Sequence, residues 1–186
     1  MDRELLTRLV DELPAAPERL ANCRVTLLLN RLCLYMAPDR GFEIRMNMNP
    51  RLANQLVPHD HCYNFAARIL RGGYVHVVRR RTDGLNGPFT RADVEPAIVT
   101  VERPGSAYTL GHQTVHQAVM EADTVTLFVR GPRLKCVSNT AVELMPAKEN
   151  WPAPAEPGQE AAESRPATLD EFRMMRSYLS QRGLIG

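Results

Sequence analysis

All five histidines of this 186-residue chain lie within 58 consecutive residues, and the other 128 residues contain none. Two of them, His59 and His61, are separated only by Asp60. On a strand, side chains two apart project from the same face, so both imidazoles could bind one metal ion while Asp60 points the other way. His116, at the start of the strand-like segment VHQAVM, can supply a third ligand from a neighbouring strand. This spacing predicts a metal site with three neutral imidazole ligands.

The two remaining histidines are less favoured as ligands. His112 lies in the turn-like segment GHQT, four residues before His116. A helix there would place both on one face, but a strand starting near Val115 favours a loop position for His112. His76 is in phase with Val78 on a strand, which favours a hydrogen-bonded histidine in the barrel wall over a ligand.

Other side chains near the histidines could take part in binding or catalysis. Tyr63 shares the alternation phase of His59 and His61, as does Phe65, so both should narrow the same interior. The Tyr63 hydroxyl could hold a bound oxygen, or the ring could serve only as wall. Cys62 is out of phase and is placed outside the site.

Arginines offer a second kind of chemistry. Arg45 and Arg68 lie on strands with mixed neighbours, and either could turn inward to bind a substrate carboxylate bidentately, although an outward, solvated position is favoured for each. Tyr63 and Arg68 are the candidate catalytic residues. The basic run at residues 79–81 precedes the turn-like segment TDGLNG and is expected at an exposed hairpin end.

Short strand-like segments are expected to position these groups. After Pro38, alternating segments separated by Gly, Pro and Asn predict an antiparallel sandwich or barrel. The segments are FEIRMNMN, HCYNFAARIL, YVHVVRRR, AIVTVE, SAYTL, VHQAVM and TVTLFVR.

Helical patterns flank these strands. Leucines at helical spacing predict a helix that ends before Pro14, followed by an apolar stretch that could be helix or strand. Thr168 and Glu171 form a capping-box pattern before a short terminal helix, which is expected to dock on the body or on a second subunit. The predicted parts are an N-terminal helical segment, a barrel, a flexible linker rich in Pro, Ala and Glu, and the C-terminal helix: 1–36, 37–149, 150–167 and 168–186.

Two segments carry a resemblance to a known family. PHDHCYNFAARILRGG, followed by PGSAYTLGHQTVHQAV and TVTLFVRGPR, resembles the two metal-binding motifs of the cupin superfamily over residues 41–137. The resemblance implies an all-β core, an antiparallel double-sheet jelly-roll barrel, here with helical segments at both ends.

The resemblance also implies ligands. His59 and His61 match the histidine pair of the first motif, Gly72 or Gly73 its closing turn, and His116 the ligand of the second motif.

One member of the motif is missing. The glutamate of the first motif is replaced by Phe65 and Ala66. In this respect the chain is similar to three-histidine cupins such as the thiol dioxygenases, including cysteine dioxygenase, although the similarity is not extended to their substrate.

Three neutral ligands would leave the metal's double charge intact and up to three coordination positions open, which suits a small anionic substrate and O2. Fe(II) is the first choice of metal, with Zn, Mn, Ni and Cu as alternatives, and Tyr63 or Asn64 could orient ligands. The expected function is a cupin oxygenase acting on a small polar metabolite. The alternatives are an isomerase, lyase or hydrolase that does not use O2, and a module that binds a small ligand.

Composition narrows the possible partners. The chain has 44% hydrophobic residues and a net charge of +2, with 21 Arg and 2 Lys against 8 Asp and 13 Glu. This balance gives no basic surface typical of nucleic-acid binding. No apolar run approaches the ~18 residues of a membrane span, so a cytoplasmic location without membrane contact is expected. A homodimer is a further expectation, and four cysteines without CxxC spacing should be free thiols.

Overall fold

A computed structural model describes residues 2–26, 29–50, 53–144 and 164–186. Its helices are α1 (Arg3–Asp11), α2 (Pro17–Ala21) and α3 (Leu169–Gln181). Its strands are β1 (Arg24–Val25), β2 (Asn30–Ala37), β3 (Phe42–Asn49), β4 (Ala53–His59), β5 (Tyr63–Arg71), β6 (Tyr74–Arg79), β7 (Ile98–Glu102), β8 (Ala107–Leu110), β9 (Val115–Met120), β10 (Thr124–Arg133) and β11 (Arg165–Pro166). Short 3-10 turns connect several of them.

The strands form two antiparallel sheets that enclose an interior. The large sheet has the order β11-β1-β2-β3-β10-β5-β8, and the small sheet the order β4-β9-β6-β7. Side chains of the two sheets meet between them, as when the rings of Phe65 on β5 and His116 on β9 approach to 5.8 Å. The double-sheet barrel with helices at its ends is therefore confirmed.

The main apolar core lies on the outer face of the large sheet, not inside the barrel. Met46 and Met48 of β3 point to this outer face and are fully buried. They pack beneath the helices, together with Leu6, Val10, Leu13, Leu32, Leu34, Phe172, Met175 and Leu179. Because strand side chains alternate, the residues between these methionines face the barrel interior.

Helix α3 forms and docks as its sequence pattern predicts. The Thr168 hydroxyl accepts a hydrogen bond from the Glu171 backbone N–H at 3.2 Å, and the Glu171 carboxylate accepts one from the Thr168 N–H at 2.9 Å. This capping box satisfies two otherwise unpaired donors at the helix start. Phe172, Met175 and Leu179 share one face and are buried against the body of the same chain.

The structure decides one element that the sequence left open and shows two strands that the sequence did not predict. The apolar stretch whose class was open is strand β2, paired with β3. Strand β4 was not expected. Within the segment expected to be a flexible linker, β11 pairs with β1, whereas residues 150–163 of that segment lie outside the described part of the chain.

Two adjacent glycines close the turn between β5 and β6. Gly72 has φ +69°, and a Cβ there would lie 2.5 Å from the Thr124 hydroxyl. A Cβ on Gly73 would collide with the Glu102 carbonyl oxygen. Both glycines are therefore required, one for its backbone conformation and the other for close approach. Among the described residues, no helix has the length and apolar character needed to span a membrane.

Candidate metal centre

Three histidines converge between the sheets. One ring nitrogen from each of His59, His61 and His116 lies within 4.8 Å of the others. His59 and His116 face each other as register partners on β4 and β9, and His61 follows β4 directly in the chain. The convergence predicted from spacing is confirmed.

The alternation argument places His59 and His61 on one strand, but in the structure they do not share one. His59 ends β4 in the small sheet, and two residues after His61 the chain enters β5 in the large sheet. The pair therefore spans the point where the chain crosses between sheets. Their rings still approach to 5.0 Å between centroids, because Asp60 alone separates them and points away from both.

Asp60 is fully buried behind the histidines and is held by several donors. Its carboxylate accepts the Asn139 backbone N–H at 2.7 Å and forms ion pairs with Lys135 and, at 3.3 Å, Arg81. Arg81 is only 5% exposed, so its expected position at an exposed hairpin end is wrong. The reason is charge, since Asp60 and Asp83 together draw the guanidinium inward.

The rings of His59 and His116 are each oriented by a hydrogen bond at Nδ1. The Nδ1 of His59 lies 2.9 Å from the carbonyl oxygen of Val57. A carbonyl can only accept, so Nδ1 carries a proton, and the neutral tautomer with this hydrogen bond has its lone pair on Nε2. This is the pairing that typically fixes a metal-binding histidine.

A second chain of contacts stands behind His116. Its Nδ1 lies 2.8 Å from Nε2 of His76, whose Nδ1 is 3.9 Å from the Glu102 carboxylate. Glu102 in turn accepts a hydrogen bond from the Thr100 hydroxyl at 2.8 Å. The carboxylate favours the proton on Nδ1 of His76, which makes Nε2 the acceptor of the His116 proton. His76 is thus the hydrogen-bonded wall histidine that its strand phase predicts.

The remaining nitrogens suit a divalent ion. Nε2 of His61 and Nε2 of His116 are 2.8 Å apart. Two imidazoles bound at about 2.0–2.1 Å and at right angles would separate by roughly 3 Å. Burial holds the pKa of both rings, His61 and His116, well below the ordinary value, and the neighbouring ring of His59 lowers it further. The rings are therefore neutral near neutral pH, as metal ligands must be.

Phe65, one of the two residues that replace the glutamate of the resembled motif, lies beside the histidines. Its buried ring lies 4.8 Å from the ring of His61 and stacks on Phe128 at 4.7 Å. The side of the centre that faces the large sheet is therefore aromatic. Tyr63 also points inward as its phase predicts, stacking on His61 at 5.4 Å.

The two candidate arginines lie on opposite sides of the large sheet. Arg45, for which an outward position was favoured, is turned inward and is 8% exposed, with its guanidinium over the Phe128 ring at 4.4 Å. Arg68 is exposed and out of phase with Phe65 and Ala67 of the interior, which gives it no route to a ligand bound at the histidines.

Three other candidates lie apart from the histidine group. The Asn64 side chain is exposed, and its carbonyl oxygen accepts the His112 backbone N–H at 2.8 Å. His112 and Asn64 line a polar cavity of about 710 Å³ whose lining does not include the three histidines. Cys62 contacts Ser138 at 3.6 Å. Sequence reasoning missed Glu102. A glutamate at the end of a strand-like segment, two residues after Thr100, is only a weak signal for a contact with His76.

Comparisons with known proteins add partial structural likenesses. No family model and no curated protein matches the chain. Among solved structures, it is similar to KdgF from Halomonas sp. at 20% identity, covering 59% of this chain and 84% of that one with a TM-score of 0.43. It is similar to an RmlC-like cupin from Shewanella frigidimarina NCIMB 400 at 17% identity, covering 56% and 76% with a TM-score of 0.41.

A third likeness is to a structure with a bound metal. Streptomyces albus HEPD, with the substrate 2-hydroxyethylphosphonate and Fe(II) bound, is 11% identical over 59% of this chain and 24% of that chain, with a TM-score of 0.44. The Shewanella structure is described as a cupin, the superfamily that the two histidine motifs resemble.

Proposed function

We propose that this protein is a metal-dependent oxygenase that holds Fe(II) with His59, His61 and His116 and acts on a small polar metabolite. The observation that carries the proposal is the meeting of three imidazoles between the sheets, with Phe65 beside them in place of a carboxylate. A carboxylate ligand would cancel one of the metal's two positive charges, whereas three neutral histidine ligands cancel neither. A dicationic centre favours an anionic substrate.

When bound, the metal would supply open coordination positions for substrate and dioxygen. The protein supplies orientation. Val57 holds the ring of His59 through Nδ1, and His76 holds that of His116. Phe65 limits water on the side of the large sheet, since it is only 5% exposed. Tyr63, which is half-buried and stacks on His61, would donate its hydroxyl proton to an oxygen of a bound ligand, a role that its place beside this ligand histidine supports.

The test begins with metal analysis of protein purified without a chelating resin. Metal-free protein is then reconstituted anaerobically with Fe(II), and oxygen consumption is followed across a panel of small carboxylic acids, amino acids and thiols. We expect near-stoichiometric iron and oxygen uptake that depends on one compound of the panel. His61→Ala should abolish both, while the matched control His112→Ala should retain both, because His112 lies outside the histidine group.

Other results would contradict the proposal in distinct ways. Oxygen uptake that survives His61→Ala excludes this centre as its source. Turnover with Zn or Mn under nitrogen favours an isomerase, lyase or hydrolase that uses the ion as a Lewis acid. Tight binding of a panel compound without product favours a ligand-binding module.

A further inference from the structure

A second cavity lies on the outer face of the small sheet, which is the face turned away from the three histidines. The cavity has a volume of about 300 Å³ and is lined by Arg79, Arg91, Val94, Glu95, Pro96 and Leu144. Arg79 ends β6, and His76 of the same strand faces the interior. Because strand side chains alternate, Arg79 points outward. The sheet therefore separates this cavity from the candidate metal centre.

One wall of the cavity is apolar. Val94 and Leu144 belong to an apolar cluster that contains the fully buried Val115. Val115 of β9 is the register partner of Arg79, so the cluster lies on the same outer face. Together with Pro96, these side chains give the cavity a surface that can hold an apolar group.

Exposed valines extend the apolar surface beyond the cavity. On β6 and β7, two pairs of register partners share this face, Val77 with Val99 and Val75 with Val101. Val99 is 61% exposed and Val101 is 54% exposed. The outer face of the large sheet is buried under helices, whereas this face leaves room for the apolar part of a ligand to extend out of the cavity.

The other wall is positively charged. Within the described part of the chain, its two guanidinium groups donate hydrogen bonds to neutral oxygens only. Arg79 reaches the side-chain oxygen of Gln117 at 3.1 Å, and Arg91 reaches the backbone oxygen of Glu143 at 2.9 Å. Glu95 also lines the cavity. Two guanidinium groups against one carboxylate leave the lining with an excess of positive charge.

Arg79 and Arg91 also repel each other. Burial lowers the pKa of Arg79, and the charge of Arg91 lowers it further. A half-buried guanidinium beside a like charge is unfavourable unless an anion lies between them. An oxyanion in the cavity would remove this repulsion and would accept hydrogen bonds from both groups.

We propose that this cavity binds a small amphipathic anion, whose carboxylate lies between Arg79 and Arg91 and whose apolar part packs against Val94 and Leu144. The site goes beyond the proposed function and does not depend on it, because none of its lining residues belongs to the histidine group. Hexanoate, which has a carboxylate head and a short apolar chain, is the probe.

The first experiment measures where and how tightly hexanoate binds. Full-length metal-free protein carries labelled valine and leucine methyl groups, and their chemical shifts are followed by NMR during the titration. The methyl signals of Val94 and Leu144 should shift together. Hexanoate should bind about 10-fold more tightly than butanoate, because it buries two more methylene groups. Hexanol lacks the charge and should bind at least about 10-fold more weakly than hexanoate.

The second experiment repeats the hexanoate titration with variants. Arg91→Gln removes an exposed charge of the cavity and should weaken binding by about 5-fold or more. Arg79→Gln should act in the same direction. Arg68→Gln is the matched control, because this exposed arginine lies on the large sheet, and it should bind hexanoate as the wild type does. His61→Ala removes a candidate metal ligand and should also leave the affinity unchanged.

The outcomes separate this inference from the proposed function. Equal hexanoate affinity in the wild type and Arg91→Gln overturns the site, and this comparison decides alone if Arg79→Gln does not fold. Hexanoate binding that is no tighter than butanoate binding overturns the assignment of an amphipathic ligand. Loss of affinity in His61→Ala would place the binding at the metal centre and overturn a separate site. Loss in both cavity variants, with His61→Ala unaffected, supports the site even if the protein consumes no oxygen.

Discussion

The two faces of the large sheet have opposite characters although they are built from the same strands. The outer face presents methionine and leucine side chains to helices α1 and α3 and holds the main apolar core. The inner face of β3 presents Glu43, Arg45 and Asn47 toward the histidines. The main apolar core thus lies on one side of the sheet, while the other side combines charged side chains with smaller apolar clusters beside the histidines. The helices bury the apolar side chains of the outer face, so that burial does not depend on the residues around the histidines.

The largest expected effect falls on the outer face. Leu179→Ala removes a fully buried side chain of α3 and should lower the free energy of unfolding by about 2–5 kcal/mol. Chemical denaturation measures this loss, and metal content of the folded fraction should not change. Met174→Ala, at a position 63% exposed on the same helix, is the control and should stay close to wild type. Loss of metal in folded Leu179→Ala would show that the two faces are not independent.

The next effect concerns the ring behind His116. His76→Phe removes the acceptor of the His116 Nδ1 proton and should weaken metal affinity by about 10–100-fold, the range for lost partners of metal ligands. Chelator competition with Zn(II) measures the affinity. His76→Gln can restore an acceptor and should recover part of it, whereas His112→Phe should have no effect. Equal affinity in all four proteins would remove His76 from the centre.

Acid should destabilise the metal-free protein through the same histidines. Burial lowers the pKa of His76 from 6.5 to about 4, and burial also holds His61 and His116 well below the ordinary value. Between about pH 6.5 and pH 4 the unfolded chain therefore binds protons that the folded chain refuses. As the pH is lowered through this window, the free energy of unfolding should fall by about 1.4 kcal/mol per pH unit for each such proton.

Denaturation at fixed pH values between 7 and 4 checks this slope. His76→Phe removes one of the buried rings and should flatten the profile, while Arg68→Gln should reproduce the wild-type slope. A wild-type profile that is flat down to pH 4 would show that the buried rings are protonated without penalty.

The smallest effect again concerns the helical side. Thr168→Ala removes the side-chain cap of α3 and should lower the free energy of unfolding by about 1 kcal/mol. Metal affinity should remain that of the wild type, because the cap contacts none of the histidines. Thr168→Ser keeps the hydroxyl and should retain most of the stability, and a similar loss in both variants would point to packing instead of capping.

Local patterns predicted much of the barrel. Strands with clear alternation, such as β6 and β9, occur where the sequence predicts them. β4 was missed because ANQLVPH has few β-branched residues and ends near a proline. β11 has only two residues and exists through its pairing with β1. Such pairing is not encoded in any local pattern.

The site shows the same limit. The three ligands were found because the spacing of His59 and His61 is local. Arg45 was misjudged for a physical reason, since an apolar face normally marks the interior of a barrel, whereas here Met46 and Met48 face outward beneath the helices. The contact between His76 and Glu102 and the ion pair of Arg81 with Asp60 join distant parts of the chain. Their partners could not be assigned without the fold.

The anchoring of Asp60 affects how an ion would be captured. Asn139, Lys135 and Arg81 hold this carboxylate behind the crossing between β4 and β5, so the backbone there has little conformational freedom left to lose. Capture should therefore need little rearrangement and carry a small entropy penalty. Which metal fills the centre would then depend mainly on ligand chemistry and on the metals present during folding, not on how well the loop adapts.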